Sequence, residues 1–237
     1  MIRRSRALLC VAVLASLLAG CTTTPSAGTS AARPLTGSAS PAAADGCQWL
    51  PISAAGQPNI KDVGTPPTTV PRTGKATMTL ATNLGPVEIA MDAGLTPCAV
   101  ASFAYLAGKK FFDGTACHRL TTAGLFVLQC GDPSGTSTGG PAYQYAEENL
   151  PTHAGYPRGS VAVAKTQEPR TSGSQFFLNY ADNPTLSADY TQIGTITKGI
   201  DIIDRVAGGG VTPGANGADD GVPKIRLVLQ QVTVVYG

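Results

Sequence analysis

The chain predicts a mainly β domain: a closed antiparallel barrel capped by two helices. Strand-like runs are short and numerous, and only two stretches carry helical apolar spacing. Several runs also place polar and apolar side chains on one face and purely apolar ones on the other, as a sheet with a buried interior requires. A sheet closed on itself, with helices plugging its ends, buries that interior.

The N-terminal residues read as targeting rather than fold. Arg3, Arg4 and Arg6 precede an apolar run from Ala7 to Ala19 that is too short to span a bilayer. The run ends in Leu18-Ala19-Gly20-Cys21, which resembles the lipobox of bacterial lipoproteins; an ordinary secretory signal would also carry small residues there. On the lipobox reading, residues 1–20 are a signal peptide and Cys21 becomes the lipidated N-terminus. The protein would then sit at the cell membrane, lipid-anchored and facing the extracytoplasmic side. Removing the leader takes three arginines with it, so the formal charge moves from +2 to −1. No basic run remains to neutralise phosphates, which argues against a nucleic-acid partner.

All but three residues from Thr22 to Gly46 are Ala, Thr, Ser, Pro or Gly. Such a segment cannot bury enough apolar surface to offset its conformational entropy, so residues 21–46 read as a disordered tether. Residues 47–74, rich in Pro, Gly and Thr from Gly56 onward, read as an extended N-terminal arm, and residues 75–237 as one domain.

Within the domain, Thr77–Ala81 and Val87–Met91 alternate around Asn83-Leu84-Gly85-Pro86 and predict a hairpin. Thr96 as N-cap and Pro97 at the first helical position start a helix whose stripe is Val100, Phe103, Ala104 and Leu106, ending at Gly108. Short strands follow near residues 117–120, 126–130, 159–164, 175–178 and 191–197. A second helix fits Ile200–Ala207, with Ile202, Ile203 and Val206 inward. Gly208–Val222 reads as a flexible loop, and Ile225–Tyr236 as a long closing strand.

Cys10 leaves with the signal and Cys21 is the lipid candidate. Cys47, Cys98, Cys117 and Cys130 remain, an even number in a chain bound for an oxidising compartment, and read as structural disulfides. Three pairings are open. No Cys-x-x-Cys spacing points to zinc or thioredoxin chemistry, and the two histidines, His118 and His153, lack a carboxylate cluster, so no metal is expected.

The motifs carrying chemistry are Cys117-His118-Arg119-Leu120, then Phe126-Val127-Leu128-Gln129-Cys130-Gly131-Asp132, then Gly173-Ser174-Gln175-Phe176-Phe177. Strand parity puts Val127 with Gln129, Gln175 with Phe177, and Cys117 with Arg119 on shared faces, with Leu128 and Phe176 opposite. Arg and Gln donors beside Val and Phe suit an apolar ligand carrying carbonyls, such as a proline peptide.

These motifs resemble the signature of the cyclophilins, peptidyl-prolyl cis/trans isomerases, over roughly Lys75 to Gly237. Thr138-Gly139-Gly140, Tyr145–Asn149 and Thr191–Ile196 resemble the same family's middle and closing segments. The resemblance implies a cyclophilin-like barrel and an isomerase that needs no cofactor. It makes Arg119 the catalytic donor and Gln129 its partner. Phe126, Val127, Phe177 and Leu186 would line a proline pocket, Gln175 would bond the substrate backbone, Ala164 would form a groove wall, and Tyr190 another pocket wall. Proline-containing peptides and unfolded exported proteins would be its partners, and the protein would be a monomer.

This chain also departs from the family. The interval from Arg119 to Gln129 is two residues longer, through Thr121–Leu125. Val127 stands where Met is common, Lys165 where Asn is usual, Thr185 where many members have Trp, and Tyr190 where many have His. The family associates that Trp with tight cyclosporin binding, so weak cyclosporin binding is expected. Two other readings compete: a non-catalytic peptide-binding chaperone or adhesin of the same fold, and a thiol-dependent enzyme built on Cys117 or Cys130. A Cys117–His118 dyad is geometrically poor, because neighbouring strand residues diverge.

Overall fold

The computed structural model describes residues 46–237. The expected leader (1–20), Cys21 and the tether up to residue 45 lie outside the described residues. The arm carries two short strands, β1 (Leu50–Pro51) and β2 (Ile60–Lys61), which pair with Tyr143–Gln144 and Gly140–Pro141. Trp49 packs edge-on against Tyr143 and Tyr145, with ring centroids 5.4 and 5.6 Å away. A Cys47–Cys98 disulfide (Cα–Cα 5.5 Å) ties the arm to the first helix.

The predicted hairpin is present as β3 (Lys75–Thr82) and β4 (Gly85–Asp92), turning at Asn83 and Leu84. Met78, Leu80, Val87 and Ile89 are fully buried while Thr77, Thr79, Glu88 and Ala90 are not, the period-two pattern of a sheet with one face inward. Helix α1 (Pro97–Gly108) follows, burying Val100, Phe103 and Leu106. Thr96 is not its side-chain cap: its hydroxyl donates to the carbonyl of Asp92. The cap comes from Glu148, 50 residues on, whose carboxylate accepts the N–H of Cys98 (3.1 Å) and Ala99 (2.9 Å).

Then come β5 (Thr115–Ala116), β6 (Arg119–Thr121), β7 (Val127–Cys130), β8 (Gly140–Pro141), β9 (Tyr143–Gln144), β10 (Ser160–Val163), β11 (Phe176–Asn179) and β12 (Gln192–Lys198). Helix α2 (Ile200–Gly208) buries Ile202, Ile203 and Val206, as its spacing predicted. The chain ends with β13 (Val211–Gly214), β14 (Gly217–Pro223) and β15 (Val228–Tyr236). The loop expected at Gly208–Val222 is therefore corrected to a hairpin. Its ladder needs only backbone groups, so a sequence rich in Gly, Ala, Asp and Pro and without alternation hides it.

One eleven-stranded antiparallel sheet, in the order β13-β14-β6-β7-β11-β10-β12-β4-β3-β15-β5, dominates the fold. The expectation of a closed barrel is corrected: the sheet is open, a strongly curled half-barrel. The reason lies at Cys117 and His118. Only these two residues separate β5, at one edge of the sheet, from β6, third from the other, so Ala116 and Arg119 are at most ~11 Å apart. The Cys117 N–H bonds to Leu227 on one side and the His118 N–H to Gln129 on the other. The sheet thus curls back on itself and is joined there by the chain, without a closing ladder. A Cys117–Cys130 disulfide (Cα–Cα 4.0 Å) spans this seam.

The concave interior holds the main core, with Phe103, Phe112 and Phe176 in mutual ring contact at 5.7–6.3 Å. A second, smaller cluster of Val127, Tyr156, Ala162 and Phe177 lies on the other face of the same strands.

Candidate active site

Register builds the site. Arg119 on β6 stands opposite Gln129 on β7, Gln129 opposite Phe177 on β11, and Phe177 opposite Ala162 on β10. Directly opposed residues sit side by side on one face, so four strands deliver a row running from a guanidinium to an apolar floor. Leu128, Cys130, Phe176 and Leu178 point the other way into the core. The motif glycine has a steric role: Gly131 holds φ +88°, and a Cβ there would lie 2.3 Å from the Ser174 carbonyl oxygen.

The polar end of the row is a chain of donors. Arg119 Nη1 donates to Gln129 Oε1 (3.2 Å), Gln129 Nε2 to Gln175 Oε1 (2.8 Å), and Gln175 Nε2 to the carbonyls of Gly139 (2.9 Å) and Ser137 (3.2 Å). The loop offering those carbonyls is pinned by Asp132, which accepts from Ser134 and from the Gly139 N–H. Burial pushes Asp132 up, but these bonds outweigh it and hold the carboxyl below its usual range.

Beside the row is a cavity of about 330 Å³. Val127, Phe177, Leu186 and Tyr190 form its apolar walls, Arg119, Gln129 and Ala164 its rim, and Lys165 and Gln167 its outer edge. Phe177 and Tyr190 meet edge-on with centroids 5.3 Å apart. Lys165 Nζ lies 5.9 Å from the centre of the Tyr190 ring. A second hollow of similar size continues past Gln129 and Ala164 toward Gln175 and is walled by Ile52 and Ile60 of the arm. The space between suits an extended peptide with one apolar side chain inserted.

Arg119, Gln129, Val127, Ala164, Gln175, Phe177, Leu186 and Tyr190 are thus brought together around these two hollows. Phe126 is not. Its ring packs edge-on against Tyr180 at 6.0 Å, and Leu125, which shares the parity of Val127, stands in the cavity wall instead. Cys117 does not share a face with Arg119 either. The strand begins only at Arg119, and Cys117, 1% exposed, turns into the core to meet Cys130. That disulfide removes the thiol-enzyme reading, since neither sulfur is a free nucleophile. His118 is buried, and neither ring nitrogen has a hydrogen-bond partner among the described residues.

Three site residues escaped the sequence reading. Leu125 was recoverable from parity. Tyr156 braces Tyr190 at two points: its hydroxyl accepts the Tyr190 N–H (3.0 Å) and donates to the Tyr190 carbonyl (2.8 Å). Burial pushes the Tyr156 phenol up to about 12, so it stays a donor. Asp220 on β14 is the third. Both of its carboxylate oxygens accept from Arg119, from Nε and from Nη2, each at 2.8 Å. This pairing raises the Arg119 pKa and lowers that of Asp220. The only sequence signal was an acidic pair, Asp219-Asp220, in a neutral glycine-rich stretch.

Comparison with known proteins gives a consistent picture. The family model for "Cyclophilin type peptidyl-prolyl cis-trans isomerase/CLD" matches residues 77–234. A probable peptidyl-prolyl cis-trans isomerase B of Mycobacterium leprae is 38% identical over 206 residues, covering 78% of this chain and 65% of the relative. Its Mycobacterium tuberculosis namesake is 39% identical over 195 residues, covering 74% and 62%. The chain therefore spans a little under two thirds of those relatives' length. Two crystal structures of a Cryptosporidium parvum cyclophilin type peptidyl-prolyl cis-trans isomerase, one in the presence of the dipeptide Ala-Pro, match with TM-scores of 0.60 and 0.59 at 22% identity. They cover 69% and 68% of this chain and 99% of theirs.

Proposed function

The chain belongs to the cyclophilin-type peptidyl-prolyl cis-trans isomerases, and from that membership we propose that it isomerises X-Pro bonds in exported polypeptides. The observation that carries this reading is the Arg119–Gln129–Gln175 donor row at the lip of an apolar cavity.

An X-Pro bond turns over a barrier of roughly 18–20 kcal/mol, in tens of seconds or longer unaided. Bringing that to milliseconds requires lowering the barrier by about 6 kcal/mol. No bond to a heavy atom is made or broken. As the amide twists, the prolyl nitrogen regains its lone pair and the carbonyl loses conjugation. A donor that bonds the twisted geometry better than the planar one accelerates rotation. In this reading the proline ring enters between Val127, Phe177, Leu186 and Tyr190, the rest of the peptide lies along Gln129, Ala164 and Gln175, and Arg119 donates to the twisting imide. The relative solved in the presence of Ala-Pro supports a proline peptide as the ligand class.

The test is a protease-coupled or magnetisation-exchange measurement on a proline peptide, comparing wild type with Arg119→Ala. A loss of about 10²–10³-fold is expected, the range seen when one preorganised donor is removed. Equal rates would instead select the non-catalytic peptide-binding chaperone or adhesin, which one observation favours: Asp220 already occupies two N–H groups of Arg119.

The same proposal places the protein at the cell membrane, attached through lipid on Cys21 and working as a monomer on newly exported chains. Mass spectrometry of detergent-extracted protein checks this: an unmodified N-terminus, or one starting elsewhere than Cys21, refutes the anchor.

A further inference from the structure

Arg119 is held from two sides, and the second side lies outside the matching motifs. A guanidinium carries five N–H groups. Asp220 takes two of them, on Nε and Nη2, and Gln129 takes one on Nη1, which leaves one on each of Nη1 and Nη2 for substrate. We infer that Asp220 is a positioning residue of the isomerase site, clamping the back edge of the Arg119 guanidinium so that its two remaining N–H groups face the peptide before it binds. The inference rests on the isomerase reading above.

Asp220 is itself well fixed. β14 pairs with β6 through Asp220↔Thr121 and Gly221↔Leu120, which anchors the carboxylate's backbone beside the strand that carries Arg119. Asn216 Nδ2 donates to Oδ2 at 3.1 Å. Gly221 lets the hairpin close tightly, since a Cβ there would lie 2.0 Å from the Thr212 carbonyl oxygen. The carboxylate side chain is 17% exposed and the arginine 30%, so water competes only in part.

Without Asp220 the guanidinium would keep one neutral contact, to Gln129 at 3.2 Å, and could swing about it. A bidentate carboxylate fixes both the plane of the fork and its rotation. The carboxylate also offsets part of the arginine's charge, which would be a handicap if the reaction developed a net charge. A twisting imide does not: it changes only its dipole and the direction of its lone pair. Orientation of the N–H groups therefore matters more here than the size of the field.

The experiment compares wild type, Asp220→Asn, Asp220→Glu and Arg119→Ala for kcat and KM on a proline peptide, with the Arg119 Nε–H resonance followed by NMR. Asp220→Asn keeps the shape and loses the bidentate acceptor. It is expected to lower kcat about tenfold with KM within about twofold, and to broaden or lose the Arg119 Nε–H signal while the protein stays folded at the assay temperature. Asp220→Glu restores a carboxylate and recovers a substantial part of both. Asp220→Asn as fast as or faster than wild type overturns the inference, because the carboxylate would then be idle or a block. A fall in kcat with the Nε–H signal intact, or one matched by a loss of folding, overturns it too. A wild type no faster than Arg119→Ala marks failure of the isomerase reading itself, and the clamp falls with it.

Discussion

Removing the Cys117–Cys130 disulfide should cost both stability and catalysis, and the two effects can be read separately. The bond closes a short loop, a sequence separation of 13, and its loss returns about 3 kcal/mol of chain entropy to the unfolded state. For a domain of this size that corresponds to a Tm lowered by about 6–12 °C. The bond also spans the seam where the sheet curls back, next to the only two register pairs joining β6 and β7, Arg119↔Gln129 and Leu120↔Leu128. Loosening the seam should let Arg119 and Gln129 drift apart, so the Cys117→Ala/Cys130→Ala double variant is expected to lose several-fold in kcat at temperatures where it remains folded. The comparison is Cys47→Ala/Cys98→Ala. That bond spans 51 residues and is worth about 4 kcal/mol by the same reasoning, but it ties the arm to α1, away from Arg119. It should lower Tm comparably and leave kcat within about twofold. Differential scanning calorimetry and isomerase kinetics on both variants decide the matter. A Cys117→Ala/Cys130→Ala protein that melts within ~2 °C of wild type refutes the stability argument, given the shift expected. Unchanged kcat refutes the seam argument.

Tyr156→Phe removes the hydroxyl that both accepts from and donates to the Tyr190 backbone, so it should destabilise by about 1–3 kcal/mol and raise KM as the Tyr190 wall loosens. Urea unfolding and Michaelis kinetics check it, and an unchanged midpoint would refute the brace. His118 is held below its usual pKa chiefly by burial, against the opposing charge of Asp132. Gln175 approaches without reaching hydrogen-bond geometry. A depressed folded-state pKa means the unfolded chain takes the proton first, so this stability is complete above the ordinary histidine pKa and is lost as pH falls below it. The melting temperature should therefore decline between pH 8 and 5, and His118→Leu should flatten that slope; parallel slopes would refute it. Cyclosporin should inhibit weakly, because the residue preceding cavity-lining Leu186 is exposed Thr185, which supplies no indole; potent inhibition would overturn this.

The parts of the fold legible in the sequence are those whose side chains settle the structure. The β3–β4 hairpin alternates strictly around a tight turn, and α2 buries the residues its spacing selects. Where backbone geometry or a distant partner decides, the pattern fails. The cap of α1 comes from Glu148 rather than neighbouring Thr96. β14 is a ladder of glycine, alanine, aspartate and proline with a single valine. Whether a curled sheet closes depends on how its edge strands meet, and no local alternation encodes that. The interruption at Cys117-His118 is two residues long and reads like any strand entry.

The site divides along the same line. Gln129 and Phe177 were legible because each sits inside a motif on a regular strand, where parity assigns the face; Arg119, the first residue of β6, was legible from its motif, since its parity with Cys117 fails. Phe126 was placed in the pocket by the resemblance alone, against parity: two residues before Val127 stands Leu125, which lines the cavity, while the Phe126 ring turns to Tyr180. Asp220 was illegible for a deeper reason. A carboxylate reads as functional only beside what it binds, and Asp220 lies 101 residues from Arg119, on a strand with no side-chain pattern of its own. The lengthened β6–β7 connection and the β13–β14 hairpin are neighbours in space: the Thr122 N–H bonds to the Asp219 carbonyl. The connection and the hairpin thus support each other beside β6. The substitution that tests one should loosen the other, so Asp220→Asn is expected to raise amide exchange at Thr122 as well as at Arg119 Nε.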